Sequence, residues 1–208
     1  MNIKVCGLTT KKQLEQLEGL NVAFAGFIFD KNSVRYAGDK MANEDLTEMD
    51  LDIKKVGIFV DEEYEDIMEM VEKFELDMVQ LHGNETPALC KELSEDTEVI
   101  KVFKIGKDTV SIDKLVAPYD DVCDYYLFDT NEKNKNGGTG KKFDWKKITD
   151  SKIEKPFFLS GGISPDDVTI LKKFKHPDFF GVDINSLFEK EPGIKDMALV
   201  LKFLKDMK

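Results

Sequence analysis

The chain has 208 residues, 41% of them hydrophobic and 34% charged, which fits one globular domain with a sizeable core and excludes a disordered chain. A formal net charge of −11 argues against a nucleic-acid partner, whose phosphates ask for a basic face. No apolar run reaches the roughly 18 residues of a membrane span, the N-terminus enters a strand with no sign of a signal peptide, and the odd set Cys6, Cys90 and Cys123 lacks metal-like spacing. A reduced, cytoplasmic protein with no metal and no membrane association is expected.

In chain order, Asn2 to Cys6 reads as a strand ending at Gly7-Leu8-Thr9, and Thr9 or Thr10 caps a helix to Leu20 with Leu14 and Leu17 inward. Val22 to Phe29 is a second apolar strand. The loop Asp30 to Asp39 follows it, with Ser33-Val34-Arg35-Tyr36 inside, and a weak helix is expected at 43–49. Lys55 to Val60 is the third strand, followed by an amphipathic helix with Ile67, Val71 and Phe74 at helical spacing. Asp77 to His82 is the fourth, and Pro87 opens the next helix. Val99 to Ile105 leads to a short helix near Val110 to Val116.

Tyr125 to Thr130 is the sixth strand, apolar until Asp129, and Gly137-Gly138-Thr139-Gly140 closes the loop after it. Glycines so closely spaced leave backbone N–H groups open to a phosphate, although such a loop is by itself more often a solvated turn. Phe143-Asp144-Trp145 starts a helical segment. Pro156 to Ser160 turns at Gly161-Gly162, and Ser164-Pro165-Asp166-Asp167 is a helix start with cap, proline and acids in place. Phe179 to Asn185 is the eighth strand, and Ile194 to Met207 is read as the closing helix.

Eight strands separated by helical segments imply parallel pairing, and eight β/α units in one domain over residues 1–208 favour a (β/α)8 TIM barrel. The length is short for that fold, so outer helices are expected to be stunted, chiefly the second, fifth and sixth. In a barrel, function gathers where strands run into the following loops. Those ends carry Cys6, His82, Asp129, Ser160-Gly161 and Asp183. Strand alternation puts Lys4 on the same face as Cys6, inside the barrel, where a charge has to be paired. Strand 8 closes against strand 1, so a Lys4–Asp183 pair beneath the site is predicted.

Several segments together resemble the phosphoribosylanthranilate isomerase family. They are Lys4-Val5-Cys6-Gly7-Leu8-Thr9, Gly26-Phe27-Ile28-Phe29, Val79-Gln80-Leu81-His82-Gly83, Asp129-Thr130 with the glycine loop, Ser160-Gly161-Gly162-Ile163, Gly181-Val182-Asp183, and Pro192-Gly193-Ile194-Lys195-Asp196. The resemblance implies a cofactor-free Amadori rearrangement of a phosphorylated small molecule in tryptophan biosynthesis, by a monomer or a homodimer. It makes Cys6 the general base and Asp129 the general acid. Arg35 becomes the partner of the anthranilate carboxylate, and His82 and Asp183 become substrate contacts. Phosphate is assigned to backbone N–H groups of Gly138, Gly161, Gly162 and Ser186. Asn185-Ser186-Leu187-Phe188-Glu189 departs from the family pattern, with Asn for Ser and Leu for Gly, so a different route of the eighth loop around phosphate is expected. Another sugar-phosphate barrel isomerase, or a phosphate-binding barrel without catalysis, are the alternatives.

Overall fold

The computed structural model describes residues 1–42, 46, 51–130 and 144–208. The expected helix at 43–49, the loop 131–140 and Gly138 therefore lie outside the described residues, apart from Leu46. Eight parallel strands close into a barrel in sequence order. They are β1 (Asn2–Cys6), β2 (Phe24–Ile28), β3 (Lys54–Phe59), β4 (Met78–Leu81), β5 (Glu98–Ile105), β6 (Tyr125–Thr130), β7 (Phe157–Leu159) and β8 (Phe179–Ile184). Closure is direct: Lys4 of β1 is in register with Phe24 of β2 on one side and Asp183 of β8 on the other.

Side-chain alternation builds two cores. Phe24, Val56, Met78, Ile100, Val102, Leu127 and Phe158 fill the barrel, capped at its lower end by Tyr125 and Phe180. The other face of each strand, including Ile3 and Val5 of β1 and Tyr126 and Phe128 of β6, packs against the helices. Each large apolar side chain so buried contributes about 1.5–3 kcal/mol. The register between β7 and β8 shifts beside Phe157 and Phe158.

The helices start where capping side chains satisfy their first N–H groups. In α1 (Lys11–Glu18) the Thr10 hydroxyl accepts from Gln13 N at 3.3 Å. After α2 (Tyr64–Phe74), which buries Ile67 and Phe74 and leaves Val71 only partly covered, α3 (Pro87–Leu93) is capped by Thr86. The fifth and sixth units are stunted, as the short chain implies: α4 is Ile112–Val116 and α5 is Lys146–Thr149. Ser164 and Asp167 form a capping box ahead of α6 (Val168–Lys173).

The last unit corrects the sequence reading. The closing helix α7 spans Met197–Met207, with Asp196 accepting from Ala198 N and Leu199 N. Ile194–Lys195 (β10) instead pairs antiparallel with Glu189–Glu191 (β9). Gly193, at φ +88°, makes the turn between them, a conformation that costs a residue with a Cβ roughly 1–2 kcal/mol. Apolar spacing continues through Ile194 into α7, so periodicity alone could not mark this boundary. Among the described residues, no helix is long and apolar enough to cross a membrane.

Candidate active site

The C-terminal ends of the strands surround a cavity of about 650 Å³. Cys6 from β1 and Asp129 from β6 both line it, as do Arg35, His82, Asp183 and Ser186. Alternation explains the convergence. Cys6 lies two residues above Lys4, and Asp129 two above Leu127, so both point inward. Gly26 keeps room for the thiol, since a Cβ there would lie 3.1 Å from Cys6 Sγ.

Lys4 and Asp183 form the floor. Lys4 is fully buried and its Nζ donates to Asp183 Oδ1 at 3.0 Å, the pair that strand alternation predicts. Burial opposes the lysine charge, but Asp183, Cys6 and Asp129 together hold its pKa above the ordinary value. Cys6 is 5% exposed. Burial and Asp183 push its thiol up to about 11, against the pull of Lys4, Lys195 and Arg35. At neutral pH Cys6 is therefore a thiol.

Asp129 Oδ1 accepts from Thr130 N at 2.7 Å. His82 Nε2 sits 3.3 Å from Asp129 Oδ2, outside the donor direction, and makes no hydrogen bond among the described residues. Behind it, Gln80 Nε2 is 3.3 Å from His82 Nδ1. His82 is therefore a cavity residue beside the acid rather than a strand-end histidine turned into the wall.

Arg35 is anchored rather than free. Its Nε donates to Glu189 Oε1 and Oε2 at 2.9 and 3.0 Å, and Nη2 to Oε2 at 2.7 Å. These bonds lift the guanidinium pKa further. Nη1 has no hydrogen bond among the described residues, and Arg35 lines the cavity. Gly161 and Gly162, which also line the cavity, have φ of +84° and +69°, left-handed backbone that favours glycine. Ser186 opens a 3-10 turn, Ser186–Phe188, in which Leu187 keeps a negative φ. The eighth loop thus accommodates Leu without a left-handed residue.

Sequence reasoning carried Glu189 and Lys195 only as letters of a motif and gave no role to Gln80. Lys195 has a fully covered side chain, with Nζ 2.7 Å from Glu189 Oε1 and 2.6 Å from Asn185 Oδ1. A lysine in a Pro-Gly-x-Lys stretch normally reads as a solvated turn charge. Only the hairpin of β9 and β10, which folds it under Arg35, reveals otherwise.

The family model described as N-(5'phosphoribosyl)anthranilate (PRA) isomerase matches residues 3–206. The chain belongs to this family. Membership makes it an isomerase enzyme of tryptophan biosynthesis. An N-(5'-phosphoribosyl)anthranilate isomerase of Parabacteroides distasonis is 39% identical over 209 residues, covering 100% of this chain and 93% of the relative. Among solved structures, the isomerase of Thermotoga maritima superposes with a TM-score of 0.85 at 30% identity, covering 100% of this chain and 98% of that one. A family structure in complex with reduced 1-(o-carboxyphenylamino)-1-deoxyribulose 5-phosphate gives a TM-score of 0.78 at 26% identity, with 100% and 98% coverage.

Proposed function

We propose that the cavity catalyses the Amadori rearrangement of N-(5'-phosphoribosyl)anthranilate to 1-(o-carboxyphenylamino)-1-deoxyribulose 5-phosphate, with Asp129 as general acid and Cys6 as general base. The observation that carries this reading is the convergence of a thiol and a carboxyl from β1 and β6 on one cavity large enough for a pentose bearing an aromatic ring. The product analogue bound by the related structure has the same phosphate, pentose and carboxyphenyl parts.

The step begins with the protonated carboxyl of Asp129 giving its proton to the ribose ring oxygen. The C1–O bond breaks and the nitrogen lone pair forms a C1=N iminium. His82 Nε2, 3.3 Å from Asp129 Oδ2, meets the carboxylate as it loses that proton. Cys6 then takes the C2 proton, and the C2–H electrons form a C1=C2 enolamine while the iminium nitrogen regains its pair. Tautomerisation to the C2 ketone completes the isomerisation without change of oxidation level overall.

The high pKa of Cys6 fits this order. The thiol is neutral before the iminium forms; the iminium cation then favours loss of the thiol proton to solvent water, and the thiolate so formed takes the C2 proton. Arg35 Nη1 is placed for the anthranilate carboxylate, with the guanidinium plane fixed by Glu189. The N–H groups of Gly161, Gly162 and Ser186 are assigned to phosphate, local donors that offset the repulsion of a chain of net charge −11.

The test follows the decay of anthranilate-type fluorescence as substrate is generated in situ. Cys6→Ser and Asp129→Asn should each slow turnover by about 10²–10⁴-fold, while Cys90→Ser, on the buried face of α3 and outside the cavity lining, should leave it unchanged. Undiminished turnover in either site variant refutes the assignment of that residue.

A further inference from the structure

Lys195 is a buried cation for which the reaction above has no use. Its main-chain N donates to Gln13 Oε1 at 2.7 Å, and Gln13 Nε2 donates to Gly193 O at 2.9 Å, so α1 holds the hairpin in place. Its ammonium, however, reaches away from α1 to Asn185 and Glu189. Burying an ammonium is strongly unfavourable before pairing, and an apolar side chain would fill the space at less cost. A charge at this position therefore needs a reason beyond packing.

The neighbourhood of Cys6 supplies one. Gly7, the residue after it, has φ +79°, and a Cβ there would lie 2.7 Å from Asn185 Oδ1 and 2.9 Å from Arg35 Cδ. Asn185 and Arg35 thus close directly onto the backbone that carries the thiol, and both are gripped by the Lys195–Glu189 unit. The charges around the thiol also pair off. Lys4 is matched by Asp183 in the floor, and Arg35 by Glu189 in the wall. Asp129 lies beside His82, 3.3 Å from its Nε2, and enters the proposed reaction as the neutral acid, so it cancels none of these cations. Lys195 shares Glu189 with Arg35, so one positive charge is left over on the Cys6 side.

We infer that Lys195 is a positioning residue for the Cys6 base: through Asn185 and Glu189 it clamps the strand end that bears the thiol, and its ammonium is the positive charge that the surrounding ion pairs leave unmatched. This rests on the reading of Cys6 as the base. It assigns Lys195 no contact with the reacting atoms.

The experiment is the pH dependence of Cys6 alkylation by iodoacetamide, resolved by peptide mass spectrometry on the full chain, for wild type, Lys195→Met, Lys195→Arg and Glu189→Gln. Burial holds the Lys195 pKa below its ordinary value, so the effect is read at pH values below that, where the ammonium is charged: loss of the cation in Lys195→Met should there lower the Cys6 alkylation rate about tenfold. The kcat should fall in parallel, and Lys195→Arg should restore most of both. Glu189→Gln removes the shared anion and should move the profile the opposite way. A purely structural role gives no such reversal of sign. Identical profiles in folded Lys195→Met and wild type overturn the inference. Should Lys195→Met fail to fold, an unshifted Glu189→Gln profile overturns it equally. The alkylation profile is independent of turnover, so a Cys6→Ser enzyme of full activity would refute the base assignment by a separate result.

Discussion

Lys4 Nζ and Asp183 Oδ1 meet at 3.0 Å in the barrel interior, one residue layer below the Cys6 thiol. The pair joins the first strand to the last at the seam where the barrel closes. Removing one partner strands a buried charge, so Lys4→Met should destabilise the fold by about 3–5 kcal/mol. The double variant Lys4→Met/Asp183→Leu should recover a large part of that loss, because neither charge is then left unpaired. Urea unfolding of the two single variants and the double variant measures both effects; strictly additive losses would contradict this. The sign with pH also follows. Because the folded state holds the Lys4 pKa above its ordinary 10.5, the stabilisation is complete below that value and is lost as pH rises through the raised one.

His82 provides a prediction about a proton position. With Gln80 Nε2 donating to Nδ1 at 3.3 Å, the neutral ring carries its proton on Nε2, on the side of Asp129. Long-range ¹H–¹⁵N correlation should show the Nε2–H tautomer in the free enzyme. Gln80→Leu should release that preference and lower kcat more than it changes KM. A native Nδ1–H tautomer would mean that the amide of Gln80 accepts instead, and would contradict the expected proton position.

Gly161 joins the proposed phosphate wall to the acid. At φ +84° an added methyl group is strained whatever the space, by about 1–2 kcal/mol. It would also collide with Thr130 Oγ1 and lie 2.7 Å from Asp129 Oδ1. Gly161→Ala should therefore raise KM for the phosphorylated substrate and lower kcat together, in steady-state kinetics on the folded variant. A change in KM alone would show that Asp129 does not move with this turn.

The barrel and its floor were legible because both depend on period-2 alternation. The same pattern that marks Asn2–Cys6 as a strand sends Lys4 and Cys6 to one side, and order in the sheet brings Asp183 to meet Lys4. The eighth unit was not legible to the same degree. Ile194 and Lys195 precede a real helix with compatible spacing, and pairing of β10 with β9 is a tertiary choice fixed by Gln13, Gly193 and Glu189. Leu187 is accommodated by a backbone shape that composition does not show: the 3-10 turn there keeps it at a negative φ. Lys195 was hidden because charge type says nothing of burial, and its partners lie both beside it in sequence and far away.

The most direct measurement is a crystal structure of this chain with reduced 1-(o-carboxyphenylamino)-1-deoxyribulose 5-phosphate. Cys6 Sγ should lie within about 3.5 Å of C2 of the sugar, a distance fit for proton transfer from carbon. The Asp129 carboxyl should lie within about 3 Å of the oxygen derived from the ribose ring, on the same pentose. A ligand whose C2 is remote from the thiol, or whose former ring oxygen is held by a group other than Asp129, would contradict the assignment of base and acid.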